Sequence, residues 1–347
     1  MIVETINERE QATGTTTLRT FSLRIGYRSR RVEQIVLDDV NVSVRSGELV
    51  CLLGPNGIGK STLLRTLAKI QAPLGGKVEL GGTDLQSLNQ MDLARRLGVV
   101  LTERAAVGAL PAYRLVELGR YPHLGWFGTL SARDHEVVQW AIESVRVQHL
   151  AMRDSTTLSD GERQRFMIAR ALAQEPLMLL LDEPTAFLDV PSRVELMGLL
   201  RYLAREENIA IVLSTHDLEL ALRMADTIWL VMPGGTLRAG APEDVVLTGH
   251  VAEAFQSENI CFHSGERTFR LVTGSRGRAV VRGNGLHASL AAAVLEREGF
   301  EVCVNGPTQD AAITVTLAAD GSAWEAVAGT RGNRGKTFSA LAEFVRR

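Results

Sequence analysis

The sequence has few cysteines, few aromatic residues and no long apolar segment. Cysteine occurs three times in 347 residues, and the scattered positions of Cys51, Cys261 and Cys303 exclude a disulfide framework or a Cys-x-x-Cys site. No apolar run approaches the roughly 20 residues that a membrane-spanning helix requires. The first ten residues also lack the basic and then apolar pattern of a signal peptide. We therefore expect a cytoplasmic protein.

The sequence also lacks an excess of positive charge. Its 38 Lys and Arg residues are balanced by 40 Asp and Glu residues, which gives a net charge of −2 at pH 7. Proteins that bind nucleic acid need a basic surface for the phosphate backbone, so nucleic acid is not expected as a partner. A hydrophobic content of 45% with 22% charged residues is ordinary for a globular protein.

A glycine-rich stretch is the strongest motif that the sequence does contain. It fits G-x-x-x-x-G-K-[ST], the phosphate-binding loop, and lies between an apolar strand pattern and a helical pattern. Its residues are Gly54, Pro55, Asn56, Gly57, Ile58, Gly59, Lys60, Ser61 and Thr62. Glycines let several backbone N–H groups turn towards one anion, and the helix N-terminus adds positive charge. We expect Lys60 to reach the β- and γ-phosphates of a nucleoside triphosphate and Ser61 to bind Mg²⁺.

Two carboxylates follow a later apolar run. Residues 179–181 are all leucine, and Asp182 and Glu183 come directly after them, which is the Walker B pattern. We expect Asp182 to hold Mg²⁺ and Glu183 to orient or deprotonate the attacking water.

Two polar segments lie on either side of this strand. Ser159 and Glu162 have the spacing of a capping box at a helix start, with Gly161 between them. His216 follows the apolar run 209–213, where it could contact a γ-phosphate.

The order of these motifs resembles that of the ATP-binding subunits of ABC transporters, over roughly residues 18 to 274. The resemblance implies that Tyr27 stacks on adenine and that residues 158–162 form the signature, 186–189 the D-loop and His216 the switch histidine. It also implies a homodimer that encloses two ATP molecules head to tail. Each phosphate loop would then face Ser159, Gly161 and Glu162 of the partner subunit.

Two positions depart from the usual family pattern. Glu103 stands where a glutamine is usual, and its carboxylate remains a suitable Mg²⁺ ligand. Asp160 replaces the first glycine of the signature. A carboxylate near a γ-phosphate is repulsive, so we expect Asp160 to point away from the nucleotide.

The segment 116–128 is similar to the corresponding region of importer ATPases for iron–siderophore complexes, haem and cobalamin. This resemblance implies a subunit on the inner face of the cell membrane that works with permease subunits and, indirectly, an extracytoplasmic substrate-binding protein. The aromatic residues Tyr121, Trp126 and Phe127 would either face the permease or form a small local core. An importer ATPase for another substrate and a soluble, permease-free ABC ATPase are the alternatives.

The patterns predict an α/β fold with two domains. Residues 1–274 form an ABC-type, P-loop ATPase domain, with a mostly helical subdomain at about 104–175 where strand patterns are missing. Residues 275–347 form a small C-terminal α/β domain without a recognisable catalytic motif.

Overall fold

The computed structural model describes residues 15–29, 32–101, 109–125, 128–255, 260–263, 268–271, 276–318 and 320–346. These residues fall into two compact units. The first contains 15–255 together with 262–263 and 268–269, and the second contains 260–261, 270–271 and 276–346. The domain boundary predicted after residue 274 lies among residues 272–275, outside the described residues, and stays a prediction.

The strands between residues 15 and 271 are β1 (Thr16–Arg28), β2 (Glu33–Val40), β3 (Ser43–Arg45), β4 (Leu49–Leu53), β5 (Gly75–Leu80), β6 (Thr83–Asp84), β7 (Leu97–Val100), β8 (Met178–Leu181), β9 (Ala210–Ser214), β10 (Thr227–Val231), β11 (Leu237–Gly240), β12 (Ile260–His263) and β13 (Thr268–Leu271). The helices of the first unit are α1 (Lys60–Leu67), α2 (Gln90–Arg96), α3 (Ala112–Glu117), α4 (Ala132–Ser144), α5 (Asp160–Leu172), α6 (Val190–Glu206), α7 (Leu218–Met224), α8 (Pro242–Leu247) and α9 (His250–Phe255).

The central sheet of the first unit has the strand order β11-β10-β4-β9-β8-β7. All neighbours are parallel except β11, which pairs antiparallel with β10. Strands β4, β8 and β9 are buried along their whole length, as their continuous apolar runs predict. Successive side chains of β4 enter two different cores, because strand side chains alternate between faces. The α/β fold class is confirmed.

A second, antiparallel sheet of the first unit has the order β2-β1-β5-β6, with β3 also paired to β1. Apolar and polar residues alternate over 40–44, a pattern that predicts one strand. This prediction is wrong, because β2 ends at Val40 and β3 begins at Ser43. The Thr20 hydroxyl lies in this gap, where it donates to the carbonyl of Val40 and accepts from the N–H of Val42. A side chain thus satisfies backbone groups that a continuous ladder would have paired.

The predicted helical region contains α3, α4 and α5, which share one hydrophobic core. A buried arginine, Arg120, joins these helices. Its guanidinium donates to Asp134 Oδ1 at 2.8 Å, to the carbonyl of Ala173 at 2.7 Å and to Glu175 Oε2 at 2.8 Å. With 3% of Arg120 exposed, this charge is stable only because every partner is in place.

Replacing Arg120 with methionine should therefore destabilise the protein by about 3–5 kcal/mol, because two acidic side chains lose their buried partner. Urea unfolding of the full chain measures the loss. Arg133→Ala is the matched control, since Arg133 also pairs with Glu175 but is half exposed. That control should cost less than about 1 kcal/mol. Equal effects of the two variants would contradict a special role for the buried charge.

The Arg120–Asp134 pair also predicts how stability depends on pH. Burial raises the pKa of Asp134, but hydrogen bonds from Ser131 and Arg120 outweigh burial and lower the pKa to about 2. Because this value lies below that of the unfolded chain, the stabilisation is complete above about pH 4 and is lost as the pH falls towards 2. Melting temperatures between pH 5 and pH 2 should fall less steeply for Asp134→Asn than for the wild type. Parallel curves would contradict the assignment.

The second unit contains β14 (Arg278–Arg282), β15 (Glu301–Val304), β16 (Ala311–Leu317), β17 (Trp324–Ala328), β18 (Arg331–Gly335), α10 (Gly285–Arg297) and α11 (Phe338–Arg346). The sheet order is β15-β14-β16-β17-β18, with β14 parallel to both of its neighbours. Residues of both helices form the hydrophobic core of this unit together with Trp324. The expected small α/β unit is present, and β18 is a strand that the sequence patterns do not predict.

Candidate functional site

The phosphate loop connects β4 to α1, and Lys60 is the first residue of that helix. Its ammonium group donates to the carbonyl oxygens of Gly54 at 2.7 Å and Pro55 at 3.0 Å. Burial lowers the pKa of Lys60, and the nearby charges of Glu183 and Asp182 raise it in part. The lysine is therefore held across the loop by neutral carbonyl acceptors. A negatively charged phosphate group is a stronger acceptor and can take their place.

Close packing explains one glycine of the loop in particular. Gly59 precedes α1 with a φ of 115°, and a Cβ atom at this position would lie 2.2 Å from Cγ1 of Val36. Only glycine tolerates both the positive φ and the contact. Asn56 and Gly57 are exposed at the outer turn of the loop.

The predicted adenine residue contacts the same loop. The Tyr27 hydroxyl is 3.0 Å from Oγ1 of Thr62, and half of the Tyr27 residue remains exposed. An exposed aromatic face beside a phosphate loop can stack on a nucleobase.

The hydroxyl of Ser61 and a carboxylate oxygen of Asp182 meet next to the loop. Ser61 Oγ is 3.1 Å from Asp182 Oδ1. Two oxygen ligands at this separation suit Mg²⁺, which prefers hard oxygen donors and retains several waters. Glu103, the third predicted metal ligand, lies outside the described residues.

Glu183 and His216 form a close pair at the carboxyl ends of β8 and β9. His216 Nε2 is 2.5 Å from Glu183 Oε1, and both side chains are partly exposed in a cavity of about 500 Å³. Carboxyl ends of parallel strands meet at one edge of a sheet, where ligands commonly bind. The structure thus brings together two residues that are 33 positions apart in the sequence.

Ser214, the last residue of β9, lies beneath this pair. Its Oγ donates to Asp182 Oδ1 at 2.7 Å and accepts from the N–H of Glu183 at 2.9 Å. Ser214 belongs to none of the motifs that predict the site from the sequence. The sequence signal that could have indicated its role is a polar residue at the end of a buried strand, two residues before His216.

The signature residues form a second, separate cavity with the D-loop. Ser159 caps α5, and Glu162 Oε2 accepts from the Ser159 N–H and hydroxyl at 2.8 and 2.9 Å. The backbone bond from Ser159 lowers the pKa of Glu162. Gly161 lies in the same first turn, and Asp189 of the D-loop lines the cavity. The capping box is confirmed, and the expectation that Asp160 points away from the nucleotide stays a prediction.

Comparison with known proteins supports the same interpretation. A family model described as ABC transporter matches residues 37–186. The chain is 43% identical over 242 residues to an uncharacterized ABC transporter ATP-binding protein of Methanocaldococcus jannaschii, covering 70% of this chain and 82% of the relative. It is 35% identical to the iron(3+)-hydroxamate import ATP-binding protein FhuC of Bacillus subtilis, covering 69% of this chain and 87% of the relative.

A solved structure shows the same fold. It is the dimeric structure of a post-hydrolysis state of an ATP-binding cassette bound to ADP and Pi. The TM-score is 0.56 at 27% identity, and the match covers 65% of this chain and 98% of that chain.

Proposed function

The chain belongs to the ABC transporter family of ATP-hydrolysing subunits, and on this premise we propose that it energises the import of an iron chelate through a membrane permease. The observation that carries the proposal is the cluster of Ser61, Asp182, Glu183 and His216 beside the phosphate loop. The import of an iron chelate rests on the similarity to an iron(3+)-hydroxamate import protein.

In the proposed reaction, the residues of the phosphate loop bind the triphosphate of ATP. Lys60 exchanges its carbonyl partners for oxygens of the β- and γ-phosphates, and Tyr27 stacks on the adenine. Ser61, Asp182 and Glu103 would hold Mg²⁺, which supplies positive charge to the phosphate oxygens.

Glu183 is the proposed general base for the attacking water, and His216 holds the Glu183 carboxylate in place. The 2.5 Å contact between them directs Oε1 of the carboxylate towards His216. Glu183 can then accept a proton as the water attacks the γ-phosphate. As Glu183 becomes protonated, the Nε2–H of His216 can turn from the carboxylate to a phosphate oxygen on which negative charge develops.

A second copy of the chain completes the site. Ser159 and Gly161 line a cavity that shares no residue with the one containing Glu183 and His216. The dimeric structure of the relative bound to ADP and Pi supports a homodimer. In the proposed homodimer, Ser159 of the partner subunit binds the γ-phosphate. ATP would then close the dimer, and hydrolysis would release it.

The permease is expected to bind the exposed apolar side chains at the end of α3. Leu118 is 56% exposed and Tyr121 is 69% exposed, so Tyr121 is not part of a local core. Trp126 and Phe127 lie outside the described residues. No helix in the described part of the chain is long and apolar enough to cross a membrane. We propose that the subunit is cytoplasmic and binds peripherally to the inner face of the membrane.

Purification of the tagged chain from membranes tests this proposal. We expect a polytopic permease to co-purify with the wild-type chain, together with an extracytoplasmic substrate-binding protein when its chelate is supplied. Leu118→Ser with Tyr121→Ser should reduce the recovered permease and leave ATP binding unchanged. A chain that hydrolyses ATP but recovers no membrane protein would favour a permease-free ATPase.

A further inference from the structure

Ser214 connects the two carboxylate residues of the site through a single hydroxyl group. The Ser214 hydroxyl donates its proton to Asp182 Oδ1 and accepts the N–H of Glu183. Ser214 has no exposed surface, so water cannot replace either bond. Because the hydroxyl has one proton, the bond to Asp182 fixes its direction and leaves a lone pair for Glu183.

The backbone explains why Glu183 depends on this bond. The N–H of Asp182 donates to the carbonyl of Val100 on β7, which continues the pairing of the parallel sheet. Glu183 is two residues beyond the end of β8 and has a φ of 50°, a left-handed conformation that is unfavourable for a residue with a side chain. Strained backbone of this kind persists only where its surroundings hold it in place. The Ser214 oxygen is the acceptor that holds the Glu183 N–H here.

We propose that Ser214 is a positioning residue for ATP hydrolysis, a role that rests on the function proposed above. By accepting from the Glu183 N–H, it keeps that residue in the left-handed conformation that directs the carboxylate towards His216. By donating to Asp182, it keeps Oδ1 beside the Ser61 hydroxyl. Ser214 has no exposed surface with which to contact ATP, so its effect passes through Asp182 and Glu183.

A matched pair of variants tests this role in the full-length protein. Threonine and valine have nearly the same volume and suit a strand equally, but only threonine carries a hydroxyl. Ser214→Thr and Ser214→Val therefore strain the buried site alike and differ in the two hydrogen bonds. Ser214→Ala removes the hydroxyl without adding volume, and it decides the result if both larger variants fold poorly.

Four quantities separate positioning from a general structural role. They are kcat for ATP with Mg²⁺, KM for ATP with Mg²⁺, the affinity for a fluorescent ATP analogue in EDTA, and the melting temperature. We expect Ser214→Val to lower kcat by about 10- to 100-fold relative to Ser214→Thr, since small misplacements of catalytic groups have effects of this size. KM and analogue affinity should stay within about threefold, because the phosphate loop is intact. Ser214→Ala should lower kcat in the same way relative to wild type.

The proposal is overturned if Ser214→Val has the same kcat as Ser214→Thr. If both of these variants fold poorly, it is overturned if Ser214→Ala has the same kcat as the wild type. It is also overturned if kcat falls only in step with nucleotide affinity and melting temperature. The wild-type chain, assayed in parallel, distinguishes this failure from a failure of the proposed function. Absence of turnover by wild type would refute the function itself and the role of Ser214 with it.

Discussion

Replacing Glu183 with glutamine should leave ATP binding intact and reduce turnover by about 10²- to 10⁴-fold, the range that general-base catalysis contributes. Glutamine has the shape of glutamate and can still contact His216, but it cannot accept the proton of the attacking water. Reduced turnover with unchanged ATP affinity would show that the substitution impairs the chemical step and not nucleotide binding. The measurements are steady-state phosphate release and the affinity for ATP.

Glu219→Gln is the matched control for this variant. Glu219 lines the same cavity as Glu183 and pairs with Arg223, but it does not follow the Walker B strand. We expect its turnover to stay within about twofold of wild type, because surface substitutions away from the reacting groups have small effects. Normal ATP hydrolysis by Glu183→Gln would show that the base is wrongly assigned.

Replacing Lys60 with alanine should weaken ATP binding by about 100-fold or more. Removing one member of a buried charge pair typically costs about 2–5 kcal/mol, and the phosphate would lose its cationic partner at a site that is 5% exposed. Unlike Glu183→Gln, this variant should fail at the binding step. Titration with a fluorescent ATP analogue measures the affinity directly.

Lys69→Ala provides a close control for the loss of a lysine. The Lys69 ammonium also donates to two backbone carbonyls, those of Gln86 and Leu88, but it lies beyond the end of α1 and away from the phosphate loop. Its removal should therefore lower stability without changing ATP affinity. Equal losses of affinity in the two variants would mean that Lys60 acts only by stabilising the fold.

Short sequence patterns predicted those parts of the fold that depend only on residues close together in the chain. The apolar runs at 179–181 and 209–213 contain no polar side chain, so each predicts a strand buried on both faces, as β8 and β9 are. The glycines and Lys60 of the phosphate loop have one compatible arrangement between a strand and a helix. The capping box at Ser159 and Glu162 is complete within four residues. None of these features depends on a distant partner.

The features that the sequence did not predict depend on contacts between distant segments. The break between β2 and β3 arises from hydrogen bonds of Thr20, some twenty residues away. Residues 331–335 have no strand pattern, but β18 forms because β17 pairs with it and Trp324 packs over Gly335. The role of Ser214 likewise depends on the adjacency of β8 and β9.

ATP-dependent uptake of a ferric hydroxamate into vesicles that contain the purified permease complex tests the central claim most directly. With ATP on the side of the ATPase subunits, the complex with the wild-type chain should accumulate the chelate while phosphate is released. The complex with Glu183→Gln should bind ATP and accumulate none. Hydrolysis without uptake of any iron chelate, or equal uptake by the Glu183→Gln complex, would contradict the account.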